Sequence, residues 1–194
     1  MALATSADHP AIVSALVEAY EDDPVMNYLF PEGAARKPSW AAYFRLNLAR
    51  YTRFDGVHVT DAGRGAALWA PPGKHHVGLL EQLLLAPKIL AMLGLRRVTR
   101  GVACMQKMQS RHPTEPHFYL NILGVHPQRQ GAGVGAALLA AGLERVDASG
   151  LGAYLESSNE RNLTLYRRHG FETKDVLPIG PGVQMWLMWR EARR

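Results

Sequence analysis

The sequence of 194 residues contains a single cysteine, and this scarcity excludes two kinds of structure. Cys104 has no second cysteine with which to form an intrachain disulfide, and one thiol is too few for a cysteine-based metal cluster. A reducing cytoplasm is the location that this composition favours. The N-terminal residues lack a basic segment followed by an apolar run and a small-residue cleavage site, so we expect no signal peptide.

Long apolar runs and clustered positive charge are also lacking. The most apolar stretch, 79–95, is interrupted by polar residues and a proline and is shorter than the roughly 20 apolar residues of a membrane span. We expect no membrane partner and interpret this stretch as a buried helical pair. The net charge is +5, but Arg190, Arg193 and Arg194 account for much of the excess. No basic stripe with interleaved aromatic residues is present, so nucleic acid is not an expected partner.

Hydrophobic periodicity predicts an order of elements that suits one domain of this length. Strands and helices alternate through the C-terminal half. The predicted elements are helices at 9–20, 25–30 and 40–51, strands at 57–60 and 66–70, a helical segment at 77–109 with breaks at Pro87 and Gly94, a strand at 118–125, a helix after the following turn, a strand at 152–156, a helix at 159–169, and strands at 171–176 and 183–189.

A glycine-rich turn connects the strand at 118–125 to the next helix. It reads Q-G-A-G-V-G, with glycines at 131, 133 and 135. Glycine lacks the Cβ that would hold a ligand away from the main chain, and the first turn of a helix presents free N–H groups, so this arrangement can bind a pyrophosphate. The same spacing also suits a tight connection without a ligand. The dinucleotide-binding and Walker patterns both fail, because the required glycine spacing and the Lys-Ser or Lys-Thr pair are absent.

Two linked motifs resemble the GNAT superfamily of N-acetyltransferases. Residues 120–135, L-N-I-L-G-V-H-P-Q-R-Q-G-A-G-V-G, are similar to its strand, turn and helix start, and its Q/R-x-x-G-x-G/A element is matched by Gln130, Gly133 and Gly135. Residues 155–171, L-E-S-S-N-E-R-N-L-T-L-Y-R-R-H-G-F, look like its second cofactor motif, in matching order. The layout further resembles bacterial puromycin N-acetyltransferases and their relatives.

The resemblance implies a fold and a division of the chain. The expected fold class is α/β (α+β), with a mixed, mostly antiparallel central sheet, helices on both faces and a V-shaped splay for acyl-CoA. Residues 1–194 would form one domain, with 1–116 as an acceptor-side half that contains a helical insertion at about 77–110, and 117–194 as the acetyl-CoA-binding half. The usual first strand is barely present in residues 1–5.

The resemblance also implies the reaction. Acetyl-CoA would be the cosubstrate, no metal would be required, and the acceptor would be the primary amine of a small molecule, bound by a cytoplasmic monomer or homodimer. The implied cofactor-binding residues are Leu123, Gly124, Val125, Gln130, Gly131, Ala132, Gly133, Val134, Gly135, Ala136, Asn159, Asn162 and Tyr166.

Tyr166 is the candidate general acid that would return a proton to the departing thiolate. It follows Asn162 by four residues, so the two share a helix face directed at the sulfur end of the cofactor. The alternative is a tyrosine that only packs on the sheet. The general base stays open between Glu156, at a strand end beside the cofactor, and His117, and an amine that arrives neutral needs neither.

The acceptor pocket is predicted from residue types alone. An acidic side chain attracts a cationic amine and an aromatic face can hold it, which points to Tyr20, Asp23, Tyr28, Trp69 and His117. Asp23 could instead cap a turn. The pair His75-His76 would need further ligands, unidentified in the sequence, to bind a metal.

Two other functions fit the same motifs. A sensor that binds acetyl-CoA without turnover would keep the glycine-rich turn but not require Tyr166. A protein or peptide N-acetyltransferase would need an open groove, whereas the helical insertion at 77–110 is long enough to cover the site. We therefore expect a small amine.

Overall fold

The structure is a computed structural model that describes residues 1–193, apart from the side chain of Asp61; Arg194 lies outside the described residues. Seven strands form one sheet in the order β1-β2-β3-β4-β5-β7-β6. Only the β4–β5 pair is parallel among the described strands, so the expected mixed, mostly antiparallel sheet is confirmed. The strands are β1 (Ala2–Leu3), β2 (Val57–Val59), β3 (Gly65–Ala70), β4 (His117–Val125), β5 (Gly152–Ser157), β6 (Glu172–Gly180) and β7 (Val183–Arg190).

Helices cover both faces of this sheet. One face, here called the α3 face, packs against a core that includes Ile12, Leu16, Phe44 and Leu48. The other, the α6 face, packs against leucines of α6 and residues of α7. In the part of the chain described, no helix has the length and apolar character needed to cross a membrane. The helices are α1 (His9–Ala19), α2 (Pro24–Leu29), α3 (Arg36–Tyr51), α4 (Leu79–Leu93), α5 (Leu95–Arg111), α6 (Val134–Ser149) and α7 (Leu163–Arg168).

Strand alternation assigns side chains to the two faces. In β5, Ala153 and Leu155 belong to the α6-face core, whereas Tyr154 belongs to the α3-face core. Successive strand residues point to opposite faces, so Glu156 lies on the α3 face together with Tyr154. The candidate base is therefore on the side of the sheet that the N-terminal helices cover.

The helical insertion consists of α4 and α5 and packs over the α3 face. Its buried residues are Met92, Leu93 and Cys104. Arg97 donates to the Phe30 carbonyl at 2.6 Å, and Arg111 pairs with Asp175 at 2.5 Å. These contacts join the insertion to α2 at one end and to β6 at the other.

Two expectations about this insertion are wrong. The predicted break at Pro87 does not occur, because α4 continues through it to Leu93; proline removes one hydrogen bond, and a solvent-facing helix rich in leucine tolerates that loss. The helix ends at Gly94, where φ is +73°. The pair is also not fully buried, since several α4 leucines are more than 60% exposed: Leu79, Leu80, Leu83 and Leu84.

Candidate active site

The strands β4 and β5 separate before either of them ends. They pair in parallel from His117–Gly152 to Leu120–Leu155 and no further. Beyond that point β4 continues beside β3 as far as Val125, and β5 continues beside β7 as far as Ser157. The result is a gap in the middle of the sheet, bordered by residues 121–125 and 156–157, with main-chain groups along its edges.

A β-bulge in β4 begins this gap. Leu68 of β3 pairs with Ile122 while the next residue, Trp69, pairs with Leu120, so Asn121 is the extra residue. Asn121 is held by side chains, because its carboxamide accepts from the Tyr119 hydroxyl at 3.2 Å and donates to Asn47 at 3.0 Å. The bulge bends β4 away from β5.

Two carbonyls of the diverging segment already have side-chain partners. The Leu123 carbonyl accepts from the Tyr20 hydroxyl at 3.2 Å. The Val125 carbonyl accepts from the Gln130 carboxamide at 2.9 Å. Gly124 between them lies under α1, where a methyl group would come within 2.5 Å of Leu16. Glycine at 124 thus lets α1 approach the strand closely.

The glycine-rich turn follows directly and runs into α6. Gly131 and Gly133 have φ values of +77° and +76°, in the left-handed region that favours glycine. No atom of the described residues lies within 4 Å of a Cβ placed on either of them, so their outer side is open. The first α6 amides, of Val134, Gly135 and Ala136, have no intrahelical acceptor. The turn therefore presents free N–H groups at the positive end of a helix, as an anion site requires.

Tyr166 lies on α7 and packs on the α6 face against Phe171, with ring centroids 6.1 Å apart. Burial raises its pKa, and the carboxylate of Asp23 raises it further. Burial and the same carboxylate also raise the pKa of Tyr20. Both phenols stay protonated at neutral pH, as an unshifted tyrosine also would.

Asp23 forms two hydrogen bonds within the fold. It caps α2, where its Oδ1 accepts from the Met26 amide at 2.8 Å, and its Oδ2 accepts from the Ser158 hydroxyl. The residue is 8% exposed. Burial raises the pKa of its carboxyl, although the bonds from Ser158 and Met26 oppose this shift. Asp23 therefore links α2 to the end of β5, and its assignment to the acceptor pocket stays a prediction.

Trp69 and Tyr28 are likewise held in packing contacts. The Trp69 indole is 3% exposed and lies on the α6 face against Gly142 of α6, so it does not share the α3 face with Glu156. The Tyr28 ring packs on Gly180 and beneath the Arg100 guanidinium, 4.4 Å from its centroid. The structure gives no support to a substrate contact for Trp69, because strand alternation turns it to the opposite face.

Asn159 and Asn162 flank a short 3-10 turn before α7. The predicted helix at 159–169 is therefore divided. The Asn159 carboxamide caps that turn by accepting from the Arg161 amide at 3.1 Å, whereas Asn162 is exposed at the N-terminal end of α7. The capping role leaves the exposed Asn162 as the residue whose side chain is free to reach a ligand.

Glu156 borders the gap on the β5 side. Its side chain is 2% exposed, and its buried Oε1 has no hydrogen-bond partner among the described residues. The nearest cation candidate is His112, whose Nδ1 lies 3.6 Å away. Burial and the Glu156 carboxylate together raise the pKa of Tyr119 and of Tyr154. A carboxylate with a free oxygen in such a place can accept a proton.

His117 is the first residue of β4 and lies in a group of histidines. Its Nε2 is 3.1 Å from the His112 Nε2, and the His75 ring stacks on the His112 ring with centroids 4.2 Å apart. Burial and the neighbouring rings lower the pKa of His75 to about 3. Burial also lowers the pKa of His117. The candidates His117 and Glu156 therefore flank the same residue, His112.

The sequence contains no pattern that identifies several residues of this region. His112 and Ser158 meet their partners only through the fold. The aromatic pair Tyr119 and Tyr154 did have a signal, since each lies two residues from a candidate, His117 or Glu156, on the same strand.

Comparisons with known proteins agree with this geometry. The acetyltransferase (GNAT) family matches residues 40–171, which is most of the chain. The chain therefore belongs to the GNAT family of acetyltransferases. A mycothiol acetyltransferase of Clavibacter michiganensis subsp. michiganensis is 49% identical over 58 residues, which cover 28% of this chain and 19% of that relative. The matched part is thus about a fifth of the length of such curated relatives.

Solved structures share the whole fold. A structure described as histone acetyltransferase HPA2 and related acetyltransferase, from Corynebacterium glutamicum, is 27% identical, with a TM-score of 0.73 over 100% of this chain and 96% of that one. Arylalkylamine N-acetyltransferase 2 of Aedes aegypti, 14% identical, has a TM-score of 0.65 over 99% and 98% of the two chains. The second likeness concerns the fold alone.

The raised pKa of Asp23 predicts a pH-dependent cost in stability. A carboxyl whose pKa is higher in the folded chain stabilises the fold below its ordinary value of 3.8, and this contribution is lost as pH rises through the folded pKa. Asp23→Asn keeps the cap but cannot ionise. As pH rises from 4 to 7, the free energy of unfolding of Asp23→Asn should therefore increase relative to that of the unsubstituted protein. Urea unfolding at each pH measures this difference.

Asp22→Asn is the matched control, because Asp22 is exposed. Its effect should stay within about 0.5 kcal/mol. An Asp23→Asn difference that is constant with pH, or that shrinks towards neutral pH, would contradict the assignment.

Proposed function

We propose that this chain transfers the acetyl group of acetyl-CoA to the primary amine of a small molecule. The observation that carries the proposal is the gap between β4 and β5, which leads along residues 121–125 into the open turn at Gly131 and Gly133. A thioester arm in the gap and a pyrophosphate on the turn would be held by one continuous stretch of main chain. Family membership supports acetyl-CoA as the donor.

The pyrophosphate contacts would come from main-chain amides of residues 131–136, because the Gln130 amide donates to the Pro127 carbonyl at 3.2 Å. Two linked phosphates gain hydrogen bonds and a favourable helix dipole there. Farther along, the main chain of Leu123, Gly124 and Val125 would bind the pantetheine arm. Tyr20 and Gln130 occupy two of the carbonyls, which leaves the amide groups of this edge as the expected donors.

Proton transfer would involve groups on both sides of the gap. The attacking amine loses a proton, and Glu156 is the proposed acceptor, because its buried Oε1 lacks a partner. The thiolate gains a proton, and Tyr166 is the proposed donor because it occupies the matching position of the second cofactor motif; its raised pKa means that the bound coenzyme would have to favour the transfer. Direct attack by the amine then needs neither a covalent enzyme intermediate nor a metal.

A small acceptor is favoured by the cover over the α3 face. The helices α4 and α5 lie across this face and are tied to α2 and β6, and Glu156 is only 2% exposed on its side chain. A peptide chain would have to displace these contacts. The second candidate, a protein acetyltransferase, is favoured by the description of the 27% identical structure.

An acceptor screen tests the proposal. With acetyl-CoA and a thiol reagent, at least one small amine among aminonucleosides, polyamines and amino acids should have a kcat/KM about 10-fold or more above that of a lysine peptide, since 1.4 kcal/mol separates them at that ratio. Turnover of the peptide alone would favour the second candidate. Binding of acetyl-CoA without thiol release from any amine would favour the sensor.

Gly133→Ala should weaken acetyl-CoA binding. Alanine at φ +76° costs about 1–2 kcal/mol and shifts the turn, so we expect roughly 5- to 30-fold lower affinity by calorimetry. Gly150→Ala is the matched control, because Gly150 ends the same helix with φ +67° and equally open space. It should cost similar stability and leave the affinity unchanged. Equal affinities for both variants would exclude the turn as the phosphate site.

Tyr166→Phe should lower kcat about 100-fold, the lower end of the range for a general acid, while the affinity for acetyl-CoA stays within about 3-fold. Tyr51→Phe, another buried tyrosine, controls for the loss of a phenol from the core. If Tyr166→Phe retains full turnover, Tyr166 only packs on the sheet and another group protonates the thiolate.

A further inference from the structure

Three histidines from separate segments meet beside the candidate active site. His75 lies in the loop between β3 and α4, His112 directly follows α5, and His117 begins β4. One ring nitrogen from each lies within 4.8 Å of the other two. His75 and His112 therefore stand at the two ends of the α4–α5 insertion, and His117 belongs to the sheet beneath it.

Hydrogen bonds orient two of these rings. The Nδ1 of His117 is 2.6 Å from the Glu115 carbonyl, which can only accept, so Nδ1 carries the proton and Nε2 has a lone pair. The Nδ1 of His112 is directed at the Glu156 carboxylate, 3.6 Å away. With a proton there, the Nε2 of His112 also has a lone pair. The two Nε2 atoms are 3.1 Å apart; in the other tautomer of His112 a proton on its Nε2 forms an N–H···N hydrogen bond to His117, and a cation could take the place of that proton.

His75 adds a third unsatisfied group. Both of its ring nitrogens are buried and lack a hydrogen-bond partner among the described residues. A buried polar atom without a partner lowers the stability of the folded chain. The proton of a neutral His112 on Nε2 satisfies its contact with His117 but leaves His75 unpaired. One metal ion would satisfy all three nitrogens.

We propose that His75, His112 and His117 bind one divalent transition-metal ion of the Zn²⁺ class. Imidazole ligands suit Zn²⁺, Co²⁺ and Ni²⁺, whereas Mg²⁺ and Ca²⁺ prefer oxygen. Zn–N bonds of about 2.0–2.1 Å in tetrahedral geometry place ligand nitrogens roughly 3.3 Å apart, so small ring rotations from the present spacing suffice. The Glu115 carbonyl holds His117 as an outer partner, and Glu156, 3.6 Å from the His112 Nδ1, is close enough to take the same role for His112 once an ion is bound.

The ion would act as a clamp. Its ligands join both ends of the α4–α5 insertion to β4, so binding would fix the cover over the α3 face. A ligand that binds only the folded chain raises its stability. The site shares Glu156 and His117 with the candidate catalytic groups, but metal binding and its effect on stability can be measured without the acetyl-transfer reaction. The sequence suggested no metal, since only the fold brings His112 and His117 to the His75-His76 pair.

The test uses the full chain without a histidine tag, treated with a chelator and then titrated with Zn²⁺ or Co²⁺ alone. We expect one equivalent bound per chain, a Co²⁺ absorption spectrum typical of tetrahedral coordination, and a rise in the unfolding midpoint with Zn²⁺ but not with Mg²⁺. His75→Asn and His112→Asn should each weaken Zn²⁺ binding at least 10-fold and abolish the shift of the midpoint. His58→Asn, on β2, is the matched control and should change neither.

Two outcomes would overturn the proposal. One is a wild-type affinity for Zn²⁺ too weak to compete with a low-affinity chromophoric chelator. The other is equal binding by wild type, His75→Asn and His58→Asn. His75 lies in a surface loop and is only partly buried, so its variant should fold even if His112→Asn does not; circular dichroism checks this point.

Discussion

The early separation of β4 from β5 is the constraint on which the rest of this site depends. Where β4 and β5 stop pairing, in the middle of the sheet, their main-chain N–H and C=O groups lack strand partners. Buried groups of this kind need other hydrogen-bond partners. The chain supplies some of them itself, through Tyr20 on the Leu123 carbonyl and Gln130 on the Val125 carbonyl. The bulge at Asn121 sets the direction of the divergence. The remaining edge groups are suited to a ligand with its own donors and acceptors.

Local sequence patterns predicted the part of the molecule that binds through its main chain. An apolar strand, a turn with glycines at alternate positions and an apolar-faced helix are all short-range features, and the structure forms them at 117–125, 131–133 and 134–149. Glycines 131 and 133 adopt positive φ, as a turn of this kind requires. The mixed sheet followed from the GNAT resemblance, which the fold confirms.

Side-chain partnerships between distant segments could not be predicted in this way. Asp23 looked like a group for a cationic amine, yet it meets Ser158, 135 positions later, and caps α2. Trp69 was assigned to the acceptor pocket because an aromatic face can hold an amine, but its strand position turns it towards α6. In both cases residue type suggested chemistry while packing decided the contact. The alternation of side chains along β3 would have predicted that Trp69 lies on the α6 face and not on the α3 face.

The same limit applies to the insertion and its histidines. Pro87 suggested a helix break, but α4 continues through it to Leu93. Several α4 leucines are exposed, so the apolar composition of this segment did not imply burial. His112 had no pattern around it. It is positioned only when α5 ends over β4, where it contacts both His117 and Glu156. Tertiary structure thus joins the insertion to the edge of the candidate site.

We propose that the main chain of residues 121–136 holds the coenzyme. Hydrogen–deuterium exchange of the purified protein, with and without acetyl-CoA, measures this directly at the amides concerned. The account predicts that added coenzyme slows exchange in residues 121–136 and leaves β2 and β6 unchanged. Unaltered exchange across 121–136 at saturating coenzyme, or slowing confined to other segments, would contradict it.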